Sequence, residues 1–294
     1  MEFKSINPYN GNEVGQYKAL SGEELNQKLE KSQEVFPAWR KVPLKERARL
    51  MVKAGQVLRD NVEEYAQMIT LEMGKPIVES RTEINKCAWV CDYYAENAET
   101  FLQDEVISTD AQQSFVRHEP IGAVLAIMPW NFPFWQVFRF AAPALMAGNV
   151  TVLKHAPNVF GCSALIHDIF KKAGFPKGVF QDLIIDTDLV GTILEQKSVH
   201  GLALTGSVRA GKAVGAQQCR FRGFCLRSRK NVRLERFARQ KDPQQGAAPP
   251  SYPYSHRTRL LFWNSYRKRP TPSPVLHSRA RSYLRSLPYL PAYR

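Results

Sequence analysis

An asparagine follows a run of apolar residues near the middle of this chain. Residues 123–128 are Ala-Val-Leu-Ala-Ile-Met, and Pro-Trp-Asn-Phe-Pro follows at 129–133. A short, continuously apolar run is typical of a strand that is buried on both faces. At its end, the side-chain amide of Asn131 could donate to an oxyanion that forms at a carbonyl carbon. The alternative is a turn bracketed by prolines, in which Asn131 caps the next helix.

Two further apolar runs end in groups that suit phosphate or hydroxyl ligands. Lys154 ends the run 150–154, where its ammonium could hold a ribose hydroxyl or a phosphate, or could simply be solvated. Thr205, Gly206 and Ser207 follow the run 199–204 and open a helical segment. A glycine that permits close backbone approach, a hydroxyl and a helix N-terminus together make a phosphate site. A plain N-cap explains Ser207 equally well.

The spacing of apolar residues predicts the elements that would position these groups. Three packing helices come first, and Ser21 with Glu24 forms a capping-box pattern at the start of the first one. Strands and helices then alternate, which favours an α/β fold with a doubly wound parallel sheet whose ligands lie at the carboxyl ends of the strands. The predicted helices are 21–37, 43–73, 79–101, 134–147, 159–173 and 189–196, and the predicted strands are 115–117, 123–128, 150–154, 178–185 and 199–204.

The order and spacing of these motifs resemble the aldehyde dehydrogenase superfamily, and most of all the succinate-semialdehyde dehydrogenases. The resemblance covers residues 5–217 almost continuously. It implies a Rossmann-like cofactor-binding domain, incomplete in this chain, and the oxidation of an aldehyde to a carboxylic acid with NAD or NADP. The motifs that carry it are Ser-Ile-Asn-Pro at 5–8, Glu-Met-Gly-Lys-Pro at 72–76, Pro-Ile-Gly at 120–122, Pro-Trp-Asn-Phe-Pro at 129–133, Ala-Gly-Asn at 147–149, Leu-Lys at 153–154, Ala-Gly-Phe-Pro at 173–176 and Leu-Thr-Gly-Ser at 204–207.

The resemblance also implies roles for individual residues. Asn131 would donate to the oxyanion of a thiohemiacetal, Lys154 would contact the adenosine ribose, and Ser207 would contact the pyrophosphate. Trp130 and Gly206 would line the cofactor cleft. The full set of implied cofactor-binding residues is Trp130, Lys154, Thr205, Gly206 and Ser207.

Two positions bear on cofactor choice and substrate in the resembled family. Many NAD-preferring relatives carry a glutamate three residues after the lysine, where it would grip the ribose hydroxyls. Here that position is Pro157, so NADP should be tolerated. Arg139 lies eight residues after the motif asparagine, where it would pair with the carboxylate of the aldehyde substrate, as a guanidinium does well. The alternative is an arginine paired within the protein.

The chain lacks two motifs that the resemblance requires for catalysis. The family's nucleophile is a cysteine in Gly-Gln-x-Cys and its general base is a glutamate in Leu-Glu-Leu-Gly-Gly, and neither motif occurs in this sequence. Thiohemiacetal chemistry needs both a thiolate and a base that activates water. Cys219 and Cys225 lie in foreign sequence and do not replace the nucleophile. We therefore expect this chain to be inactive as an enzyme.

The composition changes abruptly after Gln217, so we predict one domain at 1–217 and a separate tail at 218–294. The tail holds 18 Lys and Arg but two acidic residues (18 − 2 = +16), whereas the rest of the chain carries 23 − 25 = −2. Its proline-rich and arginine-rich composition predicts disorder. A shift of reading frame would produce such a junction, and a fusion to a basic tail is the competing hypothesis.

The tail supplies an alternative, non-enzymatic function. Its charge, with aromatic residues such as Trp263, Tyr252 and Tyr266, could bind nucleic acid or another polyanion without sequence specificity. The catalytic part of the family fold and most of its oligomerisation surface would follow Gln217. We therefore do not expect the family's oligomer for this chain.

The remaining features predict a cytoplasmic protein without a membrane anchor. The sequence has no run approaching the roughly 20 apolar residues that span a bilayer. The five cysteines form no regular framework, so free thiols are expected. Cys87 and Cys91 are one helical turn apart, which could suggest half a metal site, but with no second cluster we interpret them as packing residues.

Overall fold

The computed structural model describes residues 1–110, 114–221 and 226–227. Two antiparallel strand pairs, a group of four helices and a parallel sheet with its connecting helices make up this part of the chain. In chain order the elements are β1 (Glu2–Ile6), β2 (Glu13–Lys18), α1 (Gly22–Trp39), α2 (Leu44–Asp60), α3 (Val62–Met73), α4 (Ile77–Leu102), β3 (Glu105–Val106), β4 (Phe115–Val116), β5 (Ala123–Ile127), α5 (Pro133–Met146), β6 (Val150–Lys154), α6 (Phe160–Lys172), β7 (Phe180–Asp182), α7 (Val190–Glu195), β8 (Val199–Leu204), α8 (Val208–Phe221) and β9 (Leu226–Arg227).

The parallel sheet has the strand order β7-β6-β5-β8-β9. The chain runs from β5 through β6 to β7, then returns to the other side of β5 to form β8, so the predicted doubly wound α/β fold is confirmed. The direction of winding reverses between β5 and β8. In sheets of this kind, that reversal opens a crevice beyond the carboxyl ends of the two strands.

The central strands are buried on both faces, as their unbroken apolar sequence predicts. Leu125, Val152 and Leu202 are fully buried in β5, β6 and β8. Stacked aromatic rings of the connecting helices pack on the sheet. The ring centres of Phe138 in α5 and Phe170 in α6 are 5.2 Å apart. The core is therefore continuous from the sheet into the helices that join its strands.

The helices before the sheet follow the predicted spacing, with two corrections. The capping box at Ser21 and Glu24 is confirmed, but α1 continues past Pro37 to Trp39. The predicted single helix 43–73 is two helices, because Asn61 leaves helical geometry (φ −124°, ψ 28°). Its side-chain amide donates to the carbonyl of Val57 at 2.8 Å and so satisfies a group that the end of α2 leaves unpaired.

Short strands are where the prediction was least complete. The hairpin of β1 and β2 was not predicted, because its residues are largely polar and exposed and carry a register shift between Ser5 and Ile6. The predicted strand 115–117 is β4, which pairs antiparallel with β3 outside the parallel sheet. The predicted strand 178–185 contracts to β7 at its centre.

Most of the predicted tail at 218–294 lies outside the described residues. The predictions of disorder and of polyanion binding concern that part of the chain. Helix α8 passes Gln217 and ends at Phe221, and β9 pairs in parallel with β8. Within the described ranges, no helix is both long enough and apolar enough to cross a membrane.

A buried carboxylate joins the N-terminal helices to the sheet. Glu72, near the end of α3, accepts hydrogen bonds from the backbone N–H groups of Gly161 and Cys162 at the start of α6, each at 2.8 Å. The Ser5 hydroxyl of β1 donates to the same side chain at 2.7 Å. Negative charge is favourable at a helix N-terminus, where the first N–H groups lack helical partners.

We expect Gly161→Ala to lower the free energy of unfolding by about 2 kcal/mol, the usual cost of overpacking a core. A β-carbon at this position would lie 2.5 Å from the Tyr17 hydroxyl and 2.7 Å from the Glu72 carboxylate. Gly215→Ala in α8 is the matched control, since no described atom lies within 4 Å of its added methyl group. Chemical denaturation measures both variants, and an equal loss in both would contradict this packing argument.

Candidate functional site

The ends of three strands lie side by side at one edge of the sheet. In the strand register, Ile127 at the end of β5 faces Lys154 on one side and Leu204 on the other. Backbone hydrogen bonds extend the pairing past the strands. Thr205 N–H donates to the Ile127 carbonyl at 3.0 Å, and Met128 N–H donates to the Lys154 carbonyl at 3.2 Å. The three motifs singled out in the sequence therefore follow neighbouring strand ends at one edge of the sheet, where the winding reverses between β5 and β8.

The turn that contains Asn131 projects from this edge. Asn131 is exposed, and half of the Trp130 surface and 44% of the Phe132 surface are accessible to solvent. Helix α5 begins at Pro133, and its N-cap residue is Phe132, which makes no side-chain capping hydrogen bond. The alternative in which Asn131 caps the helix is therefore wrong. The amide of Asn131 is consequently presented to solvent beside the crevice.

Lys154 is a buried cation with an incomplete set of partners. Only 4% of the residue is exposed, and the resulting desolvation lowers the pKa of its ammonium, an effect that nearby Asp186 opposes. Within the described part of the chain, Nζ donates one long hydrogen bond, to Thr187 Oγ1 at 3.5 Å. Since an ammonium has three donors, Lys154 retains capacity for a hydroxyl or phosphate ligand.

The turn after β8 combines a capped helix N-terminus with open space at Gly206. Ser207 Oγ accepts from Ala210 N–H at 3.1 Å, so the N-cap interpretation of Ser207 is confirmed for helix α8. Gly206 is exposed, and among the described residues a β-carbon there would meet nothing nearer than 3.8 Å. Packing within the described chain therefore does not require glycine, whereas a ligand that approaches the backbone would.

Arg139 extends from α5 towards the same turn. Its guanidinium donates to Thr205 Oγ1 at 3.2 Å, and the residue is partly buried. The sequence alternative of an arginine paired within the protein is therefore observed in this state. The hydrogen bond also holds a positive charge between α5 and the end of β8, next to the crevice.

The position three residues after Lys154 carries no acid. Pro157 is exposed and begins a short 3-10 turn, Pro157–Val159, that leads into α6. A carboxylate here would repel an extra phosphate on a ribose, whereas proline leaves the space beside Lys154 without negative charge from this position.

Comparison of the sequence with protein families decides the lineage. The sequence model of the aldehyde dehydrogenase family matches residues 1–227. This chain belongs to the aldehyde dehydrogenase family.

Named relatives within this family share a consistent description. The chain is 49% identical over 211 residues to a probable succinate-semialdehyde dehydrogenase [NADP(+)] of Synechocystis, covering 72% of this chain and 46% of that protein. It is 44% identical over 213 residues to the succinate semialdehyde dehydrogenase [NAD(P)+] Sad of Escherichia coli, with the same coverage of both chains. The chain thus spans about half the length of the curated relatives it matches.

A solved structure of the family agrees with the fold. The succinic semialdehyde dehydrogenase of Streptococcus pyogenes, determined in complex with NADP+, superimposes with a TM-score of 0.74 at 31% identity. The match covers 76% of this chain and 50% of that one. The arrangement of the parallel sheet and its helices is therefore that of the family's known structures.

The three described cysteines are all buried. Cys87, Cys91 and Cys162 are free thiols and fully buried, and burial raises the pKa of each. A thiol kept protonated by apolar surroundings is a poor nucleophile. In the described ranges, no group of three or more His, Cys, Asp and Glu side chains is placed to hold a metal ion.

No role was predicted for His155, which directly follows β6. Its ring is fully buried, Ala156 N–H donates to Nδ1 at 2.8 Å, and Nε2 lies 2.9 Å from the Pro133 carbonyl. Because Nδ1 accepts, Nε2 must carry the proton and donate to that carbonyl. Neutral His155 thereby links the end of β6 to the start of α5. No role was predicted for Lys75 or Glu83 either. Glu83 accepts hydrogen bonds from the backbone N–H groups of Phe134 and Trp135 at the start of α5, and the Lys75 ammonium lies over the Phe132 ring.

The buried state of His155 predicts a pH-dependent stability. Desolvation, aided by the charge of Lys154, lowers the pKa of His155 from 6.5 to about 4. Between these values the unfolded chain binds a proton that the folded chain does not, so the free energy of unfolding falls as the pH is lowered through this window. We expect the protonation of His155 to lower the free energy of unfolding by an amount on the order of 2 kcal/mol across this window. Urea unfolding of the wild type and of His155→Gln from neutral pH to about pH 4.5 measures this difference, and parallel pH profiles would contradict it.

Proposed function

We propose that the described part of this chain binds a nicotinamide dinucleotide, as the cofactor-binding half of a succinate-semialdehyde type of aldehyde dehydrogenase. The observation that carries the proposal is the meeting of Lys154, Gly206 and the Asn131 turn at the crevice where the winding of the sheet reverses. Such crevices are where doubly wound sheets bind dinucleotides. The two curated relatives, named for NADP(+) and NAD(P)+, support the same ligand.

The residues present fit this cofactor. The buried ammonium of Lys154 donates one long hydrogen bond, to Thr187, and has donors left for a ribose hydroxyl or its phosphate. The open backbone at Gly206 and the N-terminus of α8 at Ser207 suit a pyrophosphate, because the first helical N–H groups carry partial positive charge. Without a carboxylate at Pro157, both NADP and NAD are accommodated.

The aldehyde end of the site is proposed for Trp130, Asn131 and Arg139. The cofactor accepts hydride when it is bound in such an enzyme. The exposed amide of Asn131 would donate to the carbonyl oxygen of an aldehyde held beside Trp130, and it would stabilise negative charge that develops there. Arg139 would exchange its bond to Thr205 for a carboxylate of the substrate, which a guanidinium binds with two parallel hydrogen bonds.

We expect Lys154→Met to weaken NADPH binding about tenfold, the usual effect of losing a hydrogen bond to a charged group. The measurement is a titration that follows the fluorescence of bound NADPH. Lys172→Met is the matched control, because Lys172 is an exposed lysine that pairs with Asp168 on the same helix. Equal affinities of the two variants, or no binding by the wild type, would overturn the dinucleotide site.

Binding and turnover separate in this chain, because its sequence lacks both Gly-Gln-x-Cys and Leu-Glu-Leu-Gly-Gly. Without the thiolate and the base that these motifs supply, no thiohemiacetal forms and no water is activated. We expect the purified protein, incubated with succinic semialdehyde and NADP+ or NAD+, to produce no reduced nicotinamide above the background without protein. NADPH binding by the same preparation shows that the protein is folded, and sustained reduction would contradict the expectation.

A further inference from the structure

A buried carboxylate lies directly beneath the turn that carries Asn131. Glu83 of α4 accepts hydrogen bonds from the backbone N–H groups of Phe134 and Trp135, both at 2.9 Å to the same oxygen. These are among the first N–H groups of α5, which have no partner within the helix. Since α5 begins immediately after the turn, Glu83 is bonded to the residues that directly follow the turn.

The second oxygen of Glu83 is paired with Lys75 in a buried ion pair. Lys75 also contacts the turn itself, because its Nζ lies 3.7 Å from the centre of the Phe132 ring. Only 5% of the Lys75 side chain and 1% of the Glu83 side chain are exposed. A buried pair of this kind adds little net stability compared with apolar residues of the same volume, so its geometry is the feature that needs an explanation.

We propose that the Lys75–Glu83 pair positions the turn so that Trp130 and Asn131 face the nicotinamide end of the dinucleotide. This inference rests on the function proposed above and assigns positioning residues to that site. The pair contacts the turn on the side of Phe132 and α5, while Trp130 and Asn131 remain exposed at the crevice. A turn held from below in this way keeps its exposed side chains in one orientation, which lowers the cost of ordering them on binding.

A second buried glutamate offers a matched control within the same chain. Glu72 accepts two backbone N–H groups at the start of α6, as Glu83 does at the start of α5, and it is equally buried. Its hydrogen-bond partners among the described residues are Ser5, Tyr17, Gly161 and Cys162, none of which belongs to the candidate site. Glu72→Gln therefore reproduces the loss of a buried capping charge without altering the turn.

The decisive experiment compares two ligands on the full chain. We expect Glu83→Gln to weaken NADPH binding about tenfold, since a small displacement of contacting groups is enough for such a loss. Binding of adenosine 2′,5′-bisphosphate, which lacks the nicotinamide, should remain within about twofold of the wild type. Glu72→Gln should affect the two ligands equally. Equal weakening of both ligands by Glu83→Gln would overturn the inference, because it would indicate a general loss of structure.

Amide hydrogen exchange tests the positioning without any ligand. Exchange in Glu83→Gln should accelerate at Phe134 and Trp135, and exchange in Glu72→Gln should accelerate at Gly161 and Cys162. The same pattern in both variants would overturn the inference. A wild-type chain that binds neither ligand would instead overturn the proposed function and, with it, the nicotinamide part of this inference, while the exchange pattern still decides whether the pair positions the turn.

The double variant Lys75→Gln/Glu83→Gln keeps the inference testable if Glu83→Gln alone does not fold. It removes both charges together and so leaves no unpaired ion in the interior, while the amide oxygen at position 83 can still accept from α5. We expect the double variant, which loses both the ion pair and the Lys75 contact with Phe132, to bind NADPH about tenfold more weakly than the wild type and to keep its affinity for adenosine 2′,5′-bisphosphate. A double variant that folds and binds NADPH as tightly as the wild type would overturn the role of the pair.

Discussion

Parallel pairing of β5 with β6 and β8 is the constraint on which the rest of this structure depends. The strand is buried on both faces, so each of its backbone groups must find a partner within the sheet. This pairing aligns Ile127 with Lys154 and Leu204, and it thereby brings together the segments that follow each strand. The site exists because three turns, far apart in sequence, begin from the same edge.

Two buried carboxylates orient the helices around that edge. Glu72 and Glu83 belong to the N-terminal helices, yet each binds the first N–H groups of a helix that connects strands of the sheet. Burying a carboxylate is unfavourable unless hydrogen bonds and positive charge surround it, and two N–H donors at a helix N-terminus provide both. The N-terminal helices are thus coupled to the site through directed polar contacts as well as through apolar packing.

Cofactor binding and catalysis place different demands on the same fold. The proposed dinucleotide site needs strand ends, a helix N-terminus and a buried cation, and residues 1–217 contain all of these. Acyl transfer needs a thiolate and a base as well, and the motifs that would carry them do not occur in the chain. The described thiols are buried in apolar surroundings, which keeps them protonated and unreactive.

The sequence by itself determined the fold class and the positions of Asn131, Lys154 and Ser207 at the ends of strands, because unbroken apolar runs, caps and glycines act over a few residues. The family was indicated by the resemblance of a series of motifs along residues 5–217. Only the tertiary structure decided that Asn131 does not cap α5, that Arg139 bonds Thr205, and that Lys75 and Glu83 lie beneath the turn. These contacts join residues that are dozens of positions apart, and a buried charge in an amphipathic helix has the same local pattern as an exposed one. Packing alone determines which polar side chains are enclosed, and therefore which of them must find a partner.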